Sequence, residues 1–224
     1  MWGRFAALPD GSTLACGGLA LPRPLGVVDL VFAPAPPPEA ARRARALGFD
    51  HIDLTVQHVG ALALPVGDRH AARPAPDRTV GAPPDGPGMW ERAVRAYRRC
   101  PGVRVEPWPG SIIGSIERVK ALLAEVPGLR LALDTGHVAC WGEDPTELLP
   151  WADAVQLRQA RRGVPQSLEG DVDFARLLTQ LDARGFQGPL SIEYFDLPER
   201  GWPNPEALAM ALALAAELRP LLAR

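Results

Sequence analysis

The chain has 224 residues, 47% of them hydrophobic, which is enough for one well-buried core and short for two. Its 24 basic and 26 acidic residues leave a net charge of -2, so no chain-wide electrostatic drive toward nucleic acid or an anionic membrane exists, and a small molecule is the expected partner. Cys16, Cys100 and Cys140 are odd in number and lack a CxxC pair, which argues against a disulfide framework or a structural zinc site and fits a reducing cytoplasm.

Residues 1–24 are rich in Gly and Pro, show no sustained period, and read as an arm on a single domain spanning 1–224; no signal peptide is expected, because Asp10, Gly11 and Ser12 follow Arg4 and the apolar stretch is broken by Gly17, Gly18 and Pro22. From Leu25 the pattern alternates: an apolar run at 27–32, a helix at about 38–47, then the run HIDLTV at 51–56. Residues 57–88 hold one further apolar run, 61–66, followed by a stretch dense in Pro, Gly, Arg and Asp. A helix at about 89–99, a strand at 103–107 and a helix at 115–126 come next, the last opening on the polar Ser115. A strand at 129–134 leads to a helix begun by Asp144 and Pro145, in the favoured N-cap and first-turn order. A strand at 154–157, a polar loop at 159–172, a helix at 174–184, a strand at 190–195 and a helix from about 205 complete the chain. The last segment carries Glu217 and Arg219 and is too short to span a bilayer, so it reads as a docked helix.

About seven strands alternating with six helices imply a parallel sheet with helices outside it. An eight-stranded TIM-type (β/α) barrel typically needs about 250 residues, so the expected fold is a barrel shortened or incomplete around residues 57–88. An open doubly wound sheet is the alternative, but no GxGxxG loop follows the first strand.

Three predicted strands end on a carboxylate: Glu106 in VRVEPWPG, Asp134 in LRLALDTGH and Glu193 in LSIEYF. A strand buried in a parallel sheet tolerates a carboxylate best at its C-terminal end, so the three converge on one mouth of a barrel. Singly, each could be a capping or ion-paired residue; together they suit a divalent metal held by oxygen donors with positions left open for substrate. The strand between Asp134 and Glu193 supplies Gln156, a neutral amide, as the fourth ligand. His137, three residues after Asp134, is placed to touch a substrate hydroxyl; Arg158, Arg161 and Arg162 could orient a hydroxyl, carboxylate or phosphate; Trp108, Trp141 and Trp151 could wall a sugar pocket. His51, His58 and His70 show no ligand spacing, and of these only His58 is held as a weak candidate.

The segments VRVEPWPG, LRLALDTGHVACWGEDP and VQLRQARRGVPQSLEGDVDFARLLTQLDARGFQGPLSIEYF resemble the xylose-isomerase-like TIM-barrel superfamily of sugar isomerases and epimerases, over about residues 89–222 and more loosely over 25–56. The resemblance implies that Glu106, Asp134, the residue at 156 and Glu193 bind Mn²⁺, Mg²⁺, Co²⁺ or Zn²⁺, with Gln156 standing where the family has His. It also implies that Glu106 and Glu193 shuttle protons, that His137 is the histidine of the family's DxxH motif, and that Arg162 is its substrate-contacting arginine. The implied reaction is isomerisation or epimerisation of a sugar, sugar phosphate or keto-polyol through an enediolate. If a β-hydroxyl is expelled instead, the same residues run a dehydratase.

Two other outcomes are open on sequence. Endonuclease IV shares the superfamily, but its multi-zinc site needs many histidines and its DNA groove a basic surface, against four histidines and a charge of -2 here. A non-catalytic or metal-free descendant that binds a small molecule or a partner fits Gln156 and the thin 57–88 region. The shortened barrel also suggests an edge for a second copy of the chain to cover.

Overall fold

The computed structural model describes residues 23–54, 79–198 and 201–223. Among them seven strands form one parallel sheet: β1 (Gly26–Val28), β2 (His51–Asp53), β3 (Thr79–Gly81), β4 (Arg104–Glu106), β5 (Arg130–Asp134), β6 (Ala152–Leu157) and β7 (Leu190–Ile192). Their order across the sheet is β2-β1-β7-β6-β5-β4-β3. The pairing of β1 with β7 closes one side of a TIM-type barrel, while β2 and β3 form its edges and the 55–78 stretch joins them in sequence. This is the shortened barrel that the β/α count implied.

Helices α1 (Pro37–Ala46), α2 (Met89–Arg99), α3 (Ile116–Glu125), α4 (Thr135–Trp141), α5 (Phe174–Ala183) and α6 (Ala207–Leu222) connect or follow the strands. Their starts are fixed by local chemistry. Ser115 Oγ accepts from Arg118 N at 3.3 Å and Asp173 Oδ1 from Arg176 N at 2.9 Å, each satisfying an amide that the first helical turn leaves without a partner. On α6, Met210, Ala211, Leu214, Ala215 and Leu218 recur at three- and four-residue intervals and are buried, so this helix docks by one apolar stripe. No helix among the described residues is long and apolar enough to cross a membrane.

Several boundaries differ from the sequence reading. The 27–32 run is a strand only to Val28, after which Asp29–Phe32 forms a 3-10 turn; all four of its residues, Asp29 included, are buried, so burial of the run does not distinguish the two. The 190–195 run likewise leaves the strand at Ile192, although Glu193 N still donates to Leu157 O at 3.1 Å. The helix expected after Asp144 is the 3-10 segment Pro145–Trp151, in which Pro150 removes the amide that an α-helix would need. Helix α4 was unanticipated, because it starts directly after Asp134 with no loop to announce it. Strand β3 was also unanticipated, being three residues long, whereas the apolar run at 61–66 lies outside the described residues.

Packing at α6 gives a direct test. Leu214→Ala, at a site 3% exposed, should cost about 2–5 kcal/mol in chemical denaturation. Leu208→Ala on the exposed side of the same helix should stay within about 0.5 kcal/mol of wild type.

Candidate active site

Parallel strands bring their C-terminal ends to one mouth. The register pairs Asp134 with Gln156 and Gln156 with Ser191, sets Gly81 beside Glu106, and sets Val28 beside Asp53. Glu106, Asp134 and Asp53 are therefore each the last residue of a strand, and Glu193 follows β7 by one residue.

Asp134 is the most constrained of these groups. It ends β5 and caps α4, its Oδ1 accepting from Gly136 N at 2.7 Å and His137 N at 3.2 Å. Its Oδ2 accepts from Arg158 Nη2 at 2.5 Å. The same Nη2 lies 3.2 Å from His137 Nδ1. A guanidinium can only donate, so Nδ1 is the acceptor and the ring proton sits on Nε2. That Nε2–H faces Asp134 Oδ2 at 3.3 Å and Glu106 Oε1 at 3.4 Å.

Glu106, Asp134 and His137 can each offer a ligand atom within 4.8 Å of the others. Glu193 is buried beside them, and burial, then Glu106, Asp134 and Asp53, hold its carboxyl well above the ordinary range, with Arg158 opposing. Two acceptors here are buried without a hydrogen-bond partner, Gln156 Oε1 and Glu193 Oε2. The residues present fit a divalent cation. Glu106, Asp134, Gln156 and Glu193 are oxygen donors, two of them have buried acceptors unsatisfied, and Asp134 Oδ2 keeps a lone pair beyond the one Arg158 uses. His137 fits less well as a ligand, because its Nδ1 and Nε2 are both engaged in the tautomer that Arg158 selects.

The other residues proposed from sequence fall in different surroundings. Arg158 is fully buried against Asp134, not on a loop over the mouth. Arg162 is exposed, its stem lying over Gly142 at the end of α4, and it makes no hydrogen bond or ion pair with the acids among the described residues. Trp108 follows β4 by two residues, half-buried, and its Nε1 donates to Ala82 O at 2.6 Å. Trp141 and Trp151 pack partly buried against the core, and His58 and His70 lie outside the described residues. The 159–172 loop is held down by Gln159, which bonds Val172 through both side-chain termini, and by Gln166, which pairs with the Phe195 backbone. Two clefts lie away from Glu106, Asp134 and Glu193. One of 380 Å³ is lined by Glu143, Asp144, Asp171 and Arg176, and one of 890 Å³ lies where β4, β5 and β6 begin.

Sequence reasoning missed one polar chain. His51 Nε2 lies 3.0 Å from Ser191 Oγ, and Ser191 Oγ donates to Asp53 Oδ2 at 2.6 Å. The imidazole crosses β1 to reach Ser191, and it can do so only because a Cβ at Gly26 is absent from its path. Asp53 also ends its strand, but in sequence it lies inside the run HIDLTV, and the continuing LTV disguised where the strand ends.

The described residues thus form a TIM-type barrel with acids gathered at its strand ends. The chain belongs to the xylose isomerase-like TIM-barrel family, whose profile matches residues 38–217. No curated protein matches it. Among solved structures it is similar to the probable 3-DHS dehydratase AsbF of Bacillus anthracis, with 15% identity, 86% of this chain and 98% of that one covered, and a TM-score of 0.59. It is also similar to a D-allulose 3-epimerase from Methylomonas sp. in complex with D-allulose, with 19% identity, 88% and 97% covered, and a TM-score of 0.60. A third is a xylose isomerase-like TIM-barrel protein from Mycobacterium smegmatis in complex with magnesium, with 16% identity, 90% and 97% covered, and a TM-score of 0.62. At these identities the likeness is one of fold, which hosts both epimerases and a dehydratase.

The raised Glu193 carboxyl contributes a pH dependence to the stability of the metal-free protein. Below the ordinary glutamate range both folded and unfolded chains hold the proton. As pH rises toward the folded value, only the unfolded chain releases it, and stability falls by up to about 1.4 kcal/mol per pH unit. Glu193→Gln should flatten this slope and raise the melting temperature near neutral pH, as measured by thermal unfolding in chelator between pH 5 and 8.

Proposed function

We propose that the chain is a divalent-cation-dependent isomerase or epimerase acting on a sugar, sugar phosphate or related keto-polyol. The observation that carries this reading is the pair of buried acceptors without partners, Gln156 Oε1 and Glu193 Oε2, beside the carboxylates of Glu106 and Asp134. A buried polar atom left unsatisfied costs about 1–3 kcal/mol, and Glu193 is crowded by the carboxylates of Glu106, Asp134 and Asp53 with one guanidinium opposing them. One hard cation relieves both, and an all-oxygen donor set favours Mg²⁺ or Mn²⁺ over Co²⁺ or Zn²⁺.

When bound, such a cation would polarise a substrate carbonyl and its neighbouring hydroxyl, making the proton on the intervening carbon easier to remove. One of Glu106 and Glu193 then takes that carbon-bound proton, and the other returns one to the enediolate. His137 presents Nε2–H to the space beside Glu106, where it donates to a substrate oxygen. Trp108 forms part of the pocket wall, Arg162 meets an outer substituent, and the Phe195–Trp202 contact, with ring centroids 5.5 Å apart, contributes an apolar side that limits water.

A second reading is favoured by the Arg158–Asp134 ion pair, which already gives one acid a counter-ion: a cation-free descendant that binds a small molecule without turning it over. The two separate on incubation of Mn²⁺-loaded protein with a panel of ketoses in D₂O. Deuterium should enter the carbon beside the carbonyl, and Glu106→Gln or Glu193→Gln should each slow that exchange by about 10²–10⁴-fold. Loss of water, seen by mass, would mark a dehydratase. Absence of exchange and of dehydration with every ketose would sink the catalytic reading.

A further inference from the structure

One guanidinium is built into the acid cluster. Arg158 has no exposed surface. Its backbone N–H donates to Thr135 Oγ1 at 2.9 Å, and its carbonyl accepts from the same hydroxyl at 3.0 Å. Its side chain passes so close to Gly136 that a Cβ there would collide with Nε. The guanidinium carbon lies 4.8 Å from the centroid of the Phe195 ring, and Nη2 reaches Asp134 Oδ2 and His137 Nδ1. Asp134, Gly136 and His137 of the DTGH segment thus meet this one side chain, and Thr135 holds its backbone. Nε and Nη1 have no hydrogen-bond partner, so the arginine makes its one carboxylate contact, at Asp134, while leaving two buried donors unsatisfied.

The geometry points to Arg158 as a positioning residue that competes with a divalent cation for Asp134, an inference that rests on the cation reading above. Asp134 Oδ1 is occupied by two backbone amides, so the oxygen left for a cation is Oδ2, the one that carries Arg158. Two cations on one carboxylate oxygen repel strongly even at an effective dielectric of about 20. Loading therefore weakens or displaces the Arg158–Asp134 contact, and the arginine keeps the cation exchangeable. When no cation is bound, the same contact spares Asp134 from being a buried charge without a partner.

The test is calorimetric titration of the full chain with Mn²⁺ alone, for wild type, Arg158→Met and Gly136→Ala, the last because its methyl pushes the guanidinium aside. Both variants should bind Mn²⁺ at least about tenfold more tightly than wild type. Arg158→Met should also melt below wild type in chelator and recover with saturating Mn²⁺. A residue that merely supports the scaffold predicts the opposite sign, so unchanged or weaker binding in the variants overturns the inference while wild-type binding preserves the cation reading. No Mn²⁺ uptake by any of the three overturns both. If Arg158→Met does not fold, Mg²⁺ titration of wild-type protein carrying ¹⁵N-arginine replaces it: a saturable change at the Arg158 side-chain resonance supports competition, and an unmoved resonance refutes it.

Discussion

A carboxylate with almost no access to water has to be neutralised or solvated by the protein itself, and Asp134 is that carboxylate here. Two amides of α4 serve one of its oxygens and Arg158 serves the other. Those requirements dictate the local fold. The helix must begin at the very end of β5, because only a residue in the N-cap position can accept from the amides two and three residues ahead. Gly136 must lack a side chain for Arg158 to lie alongside, and Thr135, the first residue of α4, fixes the arginine backbone. Phe195, past the end of β7, gives the guanidinium a face to rest on. One buried charge thereby ties together three neighbouring strand ends.

The parallel sheet extends this arrangement sideways. Every strand delivers its C-terminal residue to the same mouth, so acids on β2, β4, β5 and after β7 crowd one another whether or not they share a function. Crowding has a measurable sign at Glu193, where burial and three neighbouring carboxylates all favour the protonated form. On the β2 side the crowding is managed differently. Asp53 is held by the Ser191 hydroxyl, which in turn lies against His51, a chain that runs from inside the sheet toward its other end. Gly26 makes that chain feasible, as Gly136 does for Arg158: in both places a missing Cβ lets a polar side chain cross a neighbouring backbone.

How much of this was legible follows from where the information lies. Glu106, Asp134 and Glu193 stood out because an apolar run ending on a carboxylate is a local pattern, and the alternation of strands and helices is a pattern of the same kind. The parallel sheet and the thin side around 57–88 followed from length and alternation. Arg158 was visible as a residue but not as a buried partner of Asp134, since the pairing spans 24 positions and depends on β5 and β6 being neighbours. Its place two residues past Gln156 gave the facing direction, but a guanidinium at a strand end reads by default as a solvated loop residue. Asp53 and Ser191, separated by 138 positions, were hidden for the same reason. Helix α4 was missed because its cap is also a strand end, so the usual polar interval between elements does not exist.

Charge counting connects the resemblance to the geometry. The resemblance puts an imidazole where this chain has Gln156, and on that reading the exchange looks like the loss of a ligand. Imidazole and amide are both neutral donors, however, so the substitution changes donor strength and reach without changing the charge that the site must balance. Counted ionised, the three proposed ligand carboxylates of Glu106, Asp134 and Glu193 contribute three negative charges and Arg158 one positive charge, a deficit that a single divalent ion closes, while Asp53, which also crowds Glu193, is served by the Ser191 hydroxyl. A monovalent ion would leave the buried acids short by one, and the proton that Glu193 retains without a cation is how the protein itself supplies part of that deficit. On the proposed reading, the unusual amide and the buried arginine are therefore one design: weaker donation at 156 and a competing cation at 158 both loosen the ion, while the three carboxylates preserve its charge.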